Sequence, residues 1–325
     1  MKFSNEKYKE SAKQVLNNTE ITSNIKNEDA FLILIHNLDK ENLDNLCKAL
    51  AEKINITIED AYLITQKYNN DYKELILETA EYLILNGKNL GNKIVDGHNA
   101  SSFISHSIYE AILAKELAHF LKVNETFAFN YGLLHDYGRK YTHKFDHVIV
   151  GFEKLHDMGL DDLAKSCLSH SFINGGRYCN NEKANDDFYV DANGFEHYSY
   201  EEEFDDLVEV LLTSSYSIYD QLINIADLMA TAKGIVSPKQ RLDDIATRRG
   251  DVDSMPNRKY FLASFTNLLI DFLKKMGIEL NIKKSDYIND SLEDIKTNFN
   301  SISNAFHYVY TNYKRNENLK KEKVM

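Results

Sequence analysis

Apolar residues recur at helical spacing along most of this chain. Leu43, Leu46, Leu50 and Ile54 form one stripe through the stretch Asn42 to Lys53, and Ile58 to Asn69 reads the same way. Ala30 to Ile35 is an unbroken apolar run, a buried helix segment or a strand, since periodicity does not separate the two at that length. Ser102–Leu121, Glu125–Leu134, His143–Met158 and Asp161–Ser169 read as helices. Another starts near Phe204, and a further one runs from Ile218 to about Ala232. Ser237-Pro238-Lys239-Gln240 marks a helix start, with a capping serine, proline at the first helical position and Gln240 to complete a capping box; Gly250 is placed to end that helix. Residues 257–325 give two more helical stretches and a tail, NLKKEKVM, expected to fray. One segment breaks the pattern. Phe188 to Tyr200 sets Asn193-Gly194 between aromatic-rich runs, the pattern of a β-hairpin.

The predicted fold is therefore all-α: N-terminal helices over 1–95, a helical core over 96–250, and C-terminal helices over 251–325 packing on that core, with one short hairpin. Composition agrees, because 2 prolines and 13 glycines in 325 residues leave long helices uninterrupted. The hydrophobic share of 43% is enough for a sizeable core. A formal net charge of −12 without a basic tract argues against long nucleic acid as a partner and fits action on a small molecule. Neither a signal peptide nor a membrane-spanning run is expected from the sequence. Cys47, Cys167 and Cys179 form no CxxC pair and read as free thiols of a cytoplasmic protein. Nothing in the sequence sets an oligomeric state.

The candidate chemistry lies on inward stripes. His106 shares a helix face with Tyr109, Leu113, Leu117 and Phe120. His135 continues the face of Phe127, Ala128, Tyr131 and Leu134, and Asp136 follows it directly. His147 aligns with Gly151 and Leu155, His170 with Leu163 and Cys167, and Asp227 with Ile223 and Ala230. A buried aspartate is costly without a partner, and one shared metal would satisfy all of these groups together. Imidazole mixed with carboxylate suits Fe, Mn, Co, Ni or Zn, with Mg less favoured, and the absence of cysteine disfavours a structural zinc site.

This order, His106, then Leu133-Leu134-His135-Asp136-Tyr137-Gly138-Arg139, then His147, Ser169-His170 and Asp227, resembles the HD superfamily of metal-dependent phosphohydrolases. The resemblance covers residues 100 to about 232 and is strongest to the small bacterial group written HDIGR, with Tyr137 replacing isoleucine. It implies a helical bundle in which His106, His135, Asp136 and Asp227 hold metal. His147 and His170 then stand where the two extra histidines of dinuclear members fall, with Asp136 as the bridging ligand. Ser171 after His170, and the lack of a Gly-Tyr-Pro loop, depart from the cyclic-di-GMP phosphodiesterases of the HD-GYP type; Gly138, Arg139 and Lys140 stand where alarmone hydrolases carry an acidic pair.

The implied activity is hydrolysis of a small phosphorylated molecule, a nucleotide or nucleotide derivative, by water activated on one or two metal ions. Arg139 is expected to grip phosphate, with Lys140, Arg177 and Lys233 as further cations. Asp220, seven residues before Asp227, is a candidate general base or supporting group. His143 and His156 are possible substrate or supporting contacts; His36, His98, His119, His197 and His307 read as bystanders. The hairpin near Asn193 is either a lid or a plain surface feature. Two other readings stay open: a regulatory or interaction protein that senses a ligand on this scaffold, and an iron oxygenase built on the same fold.

Overall fold

The computed structural model describes residues 2–18, 20–35, 47–48, 57, 59–61, 100–142, 146–170, 189–190, 196–197, 206–207, 210–211, 215–232, 234–249 and 258–322. The chain divides into two compact units, Met1–Gly175 with Glu202–Ile235, and Gly176–Glu201 with Val236–Met325. Helices dominate both. No helix among the described residues is long and apolar enough to cross a membrane.

The first unit holds α1 (Glu6–Asn17), α2 (Asn27–Ile35), α3 (Ala100–Leu121), α4 (Glu125–Leu134), a 3-10 turn (Tyr137–Lys140), α5 (His147–Asp157), α6 (Asp161–Ser169) and α7 (Ile218–Asp227). The Ala30–Ile35 run is thus helix, with Ala30, Phe31 and Leu34 buried. α3 pairs with α4, α5 with α6, and α7 packs on α3, α4 and α6. The core that joins them includes Leu113, Leu117, Tyr131, Leu134, Phe152, Leu163 and Ile223, each buried. Local sequence sets the helix starts. The Asn124 side chain accepts a hydrogen bond from Phe127 N at 3.0 Å to begin α4. Ser217 and Asp220 form a reciprocal capping box at the head of α7.

The described N-terminal residues are built into this unit. The Asn130 amide donates to Ile25 O at 2.9 Å, the Tyr8 hydroxyl donates to Asp157 at 2.7 Å, and Phe3 packs edge-on against Phe152. The stretches Asn42–Lys53 and Ile58–Asn69 fall almost wholly outside the described residues, as does the helix expected from Phe204.

α7 stops at Asp227, five residues short of the expected Ala232. The chain turns instead into a hairpin of β1 (Ala230–Thr231) and β2 (Gly234–Ile235). Gly234 suits the turn of that hairpin, since its φ of +143° is one that L side chains rarely adopt. The Thr231 hydroxyl donates to Gly234 O at 2.8 Å and closes the turn.

In the second unit the predicted hairpin is present, as β3 (Tyr189–Val190) antiparallel to β4 (Glu196–His197), with Tyr189 opposite His197. The expected single hairpin is thus accompanied by a second one, β1–β2. This unit also holds α8 (Pro238–Arg249), α9 (Arg258–Lys275) and α10 (Leu292–Glu322). The Ser237–Gln240 capping box forms as the sequence predicts, with Ser237 N donating to the Gln240 side chain at 2.9 Å and Gln240 N to Ser237 Oγ at 3.3 Å. α10 runs on to Glu322, through most of the tail expected to fray.

Candidate metal centre

The site is built where α4 gives out. His135 keeps helical backbone angles at the end of α4, but Asp136 swings to φ −99°, ψ 19°, and the chain tightens into the 3-10 turn. Arg139 N closes that turn on Asp136 O at 2.8 Å. Gly138 lets the turn lie against the start of α5: a Cβ there would collide with the His147 carbonyl oxygen and crowd Gly151 N at 2.7 Å. That close approach brings the first residue of α5, His147, up to Asp136. His170 arrives from the end of α6, His106 from α3, and Asp227 from the end of α7.

Six expected side chains converge. His147 Nε2 lies 2.9 Å and His170 Nε2 3.6 Å from one Asp136 oxygen, Oδ1, while His135 Nε2 lies 3.5 Å from the other, Oδ2. His106 Nε2 is 3.3 Å from Asp227 Oδ1. The rings of His106 and His135 are 5.2 Å apart by centroid, and those of His135 and His170 4.9 Å. His106, His135, Asp136, His147 and His170 are all buried; Asp227 and Arg139, with side chains 30% and 17% exposed, mark the open edge.

Proton positions follow from the partners. His135 Nδ1 faces Gly132 O at 2.7 Å and His170 Nδ1 faces Ser166 O at 3.1 Å. A carbonyl can only accept, so each Nδ1 donates, and whenever the ring is neutral its Nε2 lone pair is turned toward carboxylate oxygens. Lone pairs facing lone pairs in a buried site need a cation between them.

A residue that the sequence reading left aside completes the cluster. Glu110, on α3 one turn beyond His106, is fully buried, with Oε2 2.9 Å from His135 Nε2 and 3.5 Å from His106 Nε2. The signal was its i, i+4 spacing from His106. Burial pushes Glu110 up to about 8, helped by the Asp227 and Asp136 carboxylates and opposed by His135. Burial acts to lower His135, but Glu110 and Asp136 outweigh it and raise the imidazole well above its usual value. Asp136 is the reverse: burial acts to raise it, yet Arg139, His135 and His147 hold it well below the carboxylate range. Burial, reinforced by His135 and His147, brings His170 down to about 3.

The expected supporting residues fare differently. Arg139 reaches Asp136 Oδ1 through Nε at 3.4 Å and stands at the site's edge. Lys140 does not serve as a phosphate cation. Its buried ammonium donates to Ile33 O and to the Tyr137 hydroxyl, both at 3.3 Å, and lies 4.5 Å over the Tyr137 ring. Asp220 is not a general base either. Its Oδ1 accepts from the Tyr131 hydroxyl at 2.6 Å, and its Oδ2 accepts from Ser217 N at 2.6 Å and pairs with Lys165 at 3.4 Å. Fully buried and saturated, it also sits about 10 Å along α7 from Asp227 at the helical rise. His156 is bonded to Asp161 and exposed His119 to Glu125. Arg177, Lys233 and His143 lie outside the described residues, as does Cys179.

The donors fit a divalent cation. One ligand atom from each of His106, Glu110, His135 and Asp227 lies within 4.8 Å of the others, and the same holds for His135, Asp136 and His170. No thiol joins either group, so the set is nitrogen and oxygen throughout. The family model of the HD domain matches residues 103–232, the stretch from α3 through the first strand after α7. No curated protein and no solved structure matches the chain.

Proposed function

Since residues 103–232 form an HD domain of the metal-dependent phosphohydrolase superfamily, we propose that this chain hydrolyses a small phosphorylated molecule, a nucleotide or nucleotide derivative. The observation that carries this reading is the convergence of three imidazole Nε2 atoms on the two Asp136 carboxylate oxygens, at 2.9 to 3.6 Å, with an arginine at the edge. His106, His135, Asp136 and Asp227 would hold metal, with His147 and His170 extending the set to a second ion. Asp136 suits a bridging role because its two oxygens face different histidines. A bound divalent ion supplies an activated water and neutralises phosphate charge.

The chain's own residues do the rest. Gly132 O and Ser166 O fix the tautomers of His135 and His170, so that Nε2 stays available as a donor atom. Arg139 orients the phosphate with its planar fork while keeping Asp136 ionised. Asp227 and Arg139 flank the approach by which a substrate would enter. A screen for phosphate release from nucleotides and phosphoesters, run on metal-loaded protein, tests the reading. Metal-bound protein that releases no phosphate from any of them, but consumes oxygen when loaded with iron, would transfer the site to oxygenase chemistry.

A further inference from the structure

We infer that Glu110, beside His106, His135 and Asp227, is a fourth protein ligand, in addition to the bridging Asp136, of one closed metal position, and that the second ion, held by Asp136 with His147 and His170, is the exchangeable one. This assignment rests on the metal centre of the proposed function and adds to it a ligand that the H…HD…D order does not contain.

Three observations carry it. The first is spacing. Two donors each about 2.1 Å from one ion stand about 3.0 Å apart at a right angle and about 3.4 Å apart at the tetrahedral angle. The separations here are 2.9 Å for Glu110 Oε2 to His135 Nε2, 3.3 Å for His106 Nε2 to Asp227 Oδ1, and 3.5 Å for Glu110 Oε2 to His106 Nε2. These are the distances of neighbouring ligands around a single centre.

The second is orphaned polarity. Glu110 is 0% exposed, and neither of its oxygens accepts a hydrogen bond. His135 Nε2 approaches it without completing a hydrogen bond, while Nδ1 of the same ring faces Gly132 O. Among the described residues no lysine or arginine pairs with Glu110. A carboxylate is rarely buried in that condition, since its desolvation is offset only by a partner.

The third is the contrast with the neighbouring donors. Asp136, His147 and His170 offer three protein side chains, with His147 Nε2 2.9 Å and His170 Nε2 3.6 Å from Asp136 Oδ1. Arg139 is on that side as well. Four protein ligands besides the bridging Asp136 leave little of a coordination sphere for solvent, whereas three, Asp136 among them, leave positions for water and substrate. The geometry thus separates a holding position from a working position.

The test uses the full chain stripped with a chelator and titrated with Mn²⁺ alone, and in parallel with Zn²⁺ alone. Free Mn²⁺ is followed by electron paramagnetic resonance, and retained metal by elemental analysis after desalting. Wild type is expected to keep about one ion per chain through desalting and to take a second only under free metal. Glu110→Ala should lose the retained ion, its tight phase weakening about tenfold to a hundredfold or more. Glu110→Gln, which keeps volume and one oxygen donor, should fall between. Thermal melting of the metal-free proteins supplies the second readout. Both variants should melt at or above the metal-free wild type, because a strained buried carboxylate has gone. Retention of one ion with unchanged affinity in both variants overturns the assignment. So does a metal-free melting point well below wild type in both, which would make Glu110 a structural partner of His135. A wild type that binds neither ion would bring down the metal-centre reading along with it.

Discussion

Two carboxylates on one short helix are treated in opposite ways. Asp220, at the head of α7, is fully buried and every oxygen is spoken for: Tyr131, Ser217 and Lys165 surround it, and Lys165 itself donates to Ser215 O at 2.9 Å. Asp227, at the other end, faces His106 across 3.3 Å in a cluster that includes the unbonded oxygens of Glu110. One pole is a closed network that ties α4, α6 and α7 together; the other is a set of nitrogen and oxygen donors that converge while the Glu110 oxygens accept no hydrogen bond. Satisfaction, rather than burial or charge, separates a scaffold residue from a ligand.

Changing Asp136 to alanine should have the largest effect. Removing the carboxylate shared by His135, His147 and His170 is expected to abolish metal-dependent turnover, by about a thousandfold or more, while far-ultraviolet circular dichroism stays native. Loss of helical signal in that variant would erase the distinction between the two poles. Asp220→Ala should do the converse. It breaks a buried ion pair and three hydrogen bonds, and is expected to cost about 3 to 5 kcal/mol in denaturant unfolding while the folded fraction still binds metal. A variant as stable as wild type but inactive would restore Asp220 to the catalytic machinery.

The metal-free chain should also record the unsatisfied pole in its pH dependence. Glu110 and His135 both have folded values raised above their unfolded ones, so the folded state binds the extra protons and their contribution is lost as pH rises. His170 is depressed to about 3, so its contribution is present at neutral pH and lost as pH falls below the ordinary histidine range. Between pH 4.5 and 6.5 the two effects oppose one another. Above pH 6.5 only the loss remains, about 2 kcal/mol from Glu110 by pH 8. Metal, which displaces these protons, should flatten the curve. Equal melting temperatures for the stripped protein at pH 6.5 and 8.5 would contradict this. The smallest expected effect is that of Arg139→Lys. Metal content should be unchanged and turnover about tenfold to a hundredfold lower, since an ammonium keeps the charge but not the fork. Unchanged turnover would assign Arg139 to supporting Asp136 alone.

Much of this was legible from the chain. α4 runs from Glu125 to Leu134 as its pattern predicts, because an asparagine cap and a continuous apolar face leave few alternatives. The order of His106, His135, Asp136, His147, His170 and Asp227 anticipates the cluster that the folded chain assembles. Glu110 was harder to see. A glutamate on a helix ordinarily faces water, and only the packing of α4 and α7 on α3 turns this one inward. Lys140 was misjudged for the same reason: adjacent to Arg139 in sequence, it faces α2, whose carbonyl it engages. The end of α7 at Asp227 is not legible because apolar spacing continues into the short hairpin that follows, Ala230–Thr231 with Gly234–Ile235.

The hydrogen bond from Lys140 to Ile33 O has a consequence for where this protein can be cut. The stretch recognisable by family begins at residue 103, yet the turn bearing His135 and Asp136 is underpinned from α2, Asn130 leans on Ile25, and Phe152 is covered by Phe3. A fragment trimmed to the recognisable stretch would expose the buried Lys140 ammonium and the Phe152 ring that Phe3 packs against. The stretch matched by the family model is shorter than the compact unit that contains it, and the turn bearing His135 and Asp136 is held from outside that stretch.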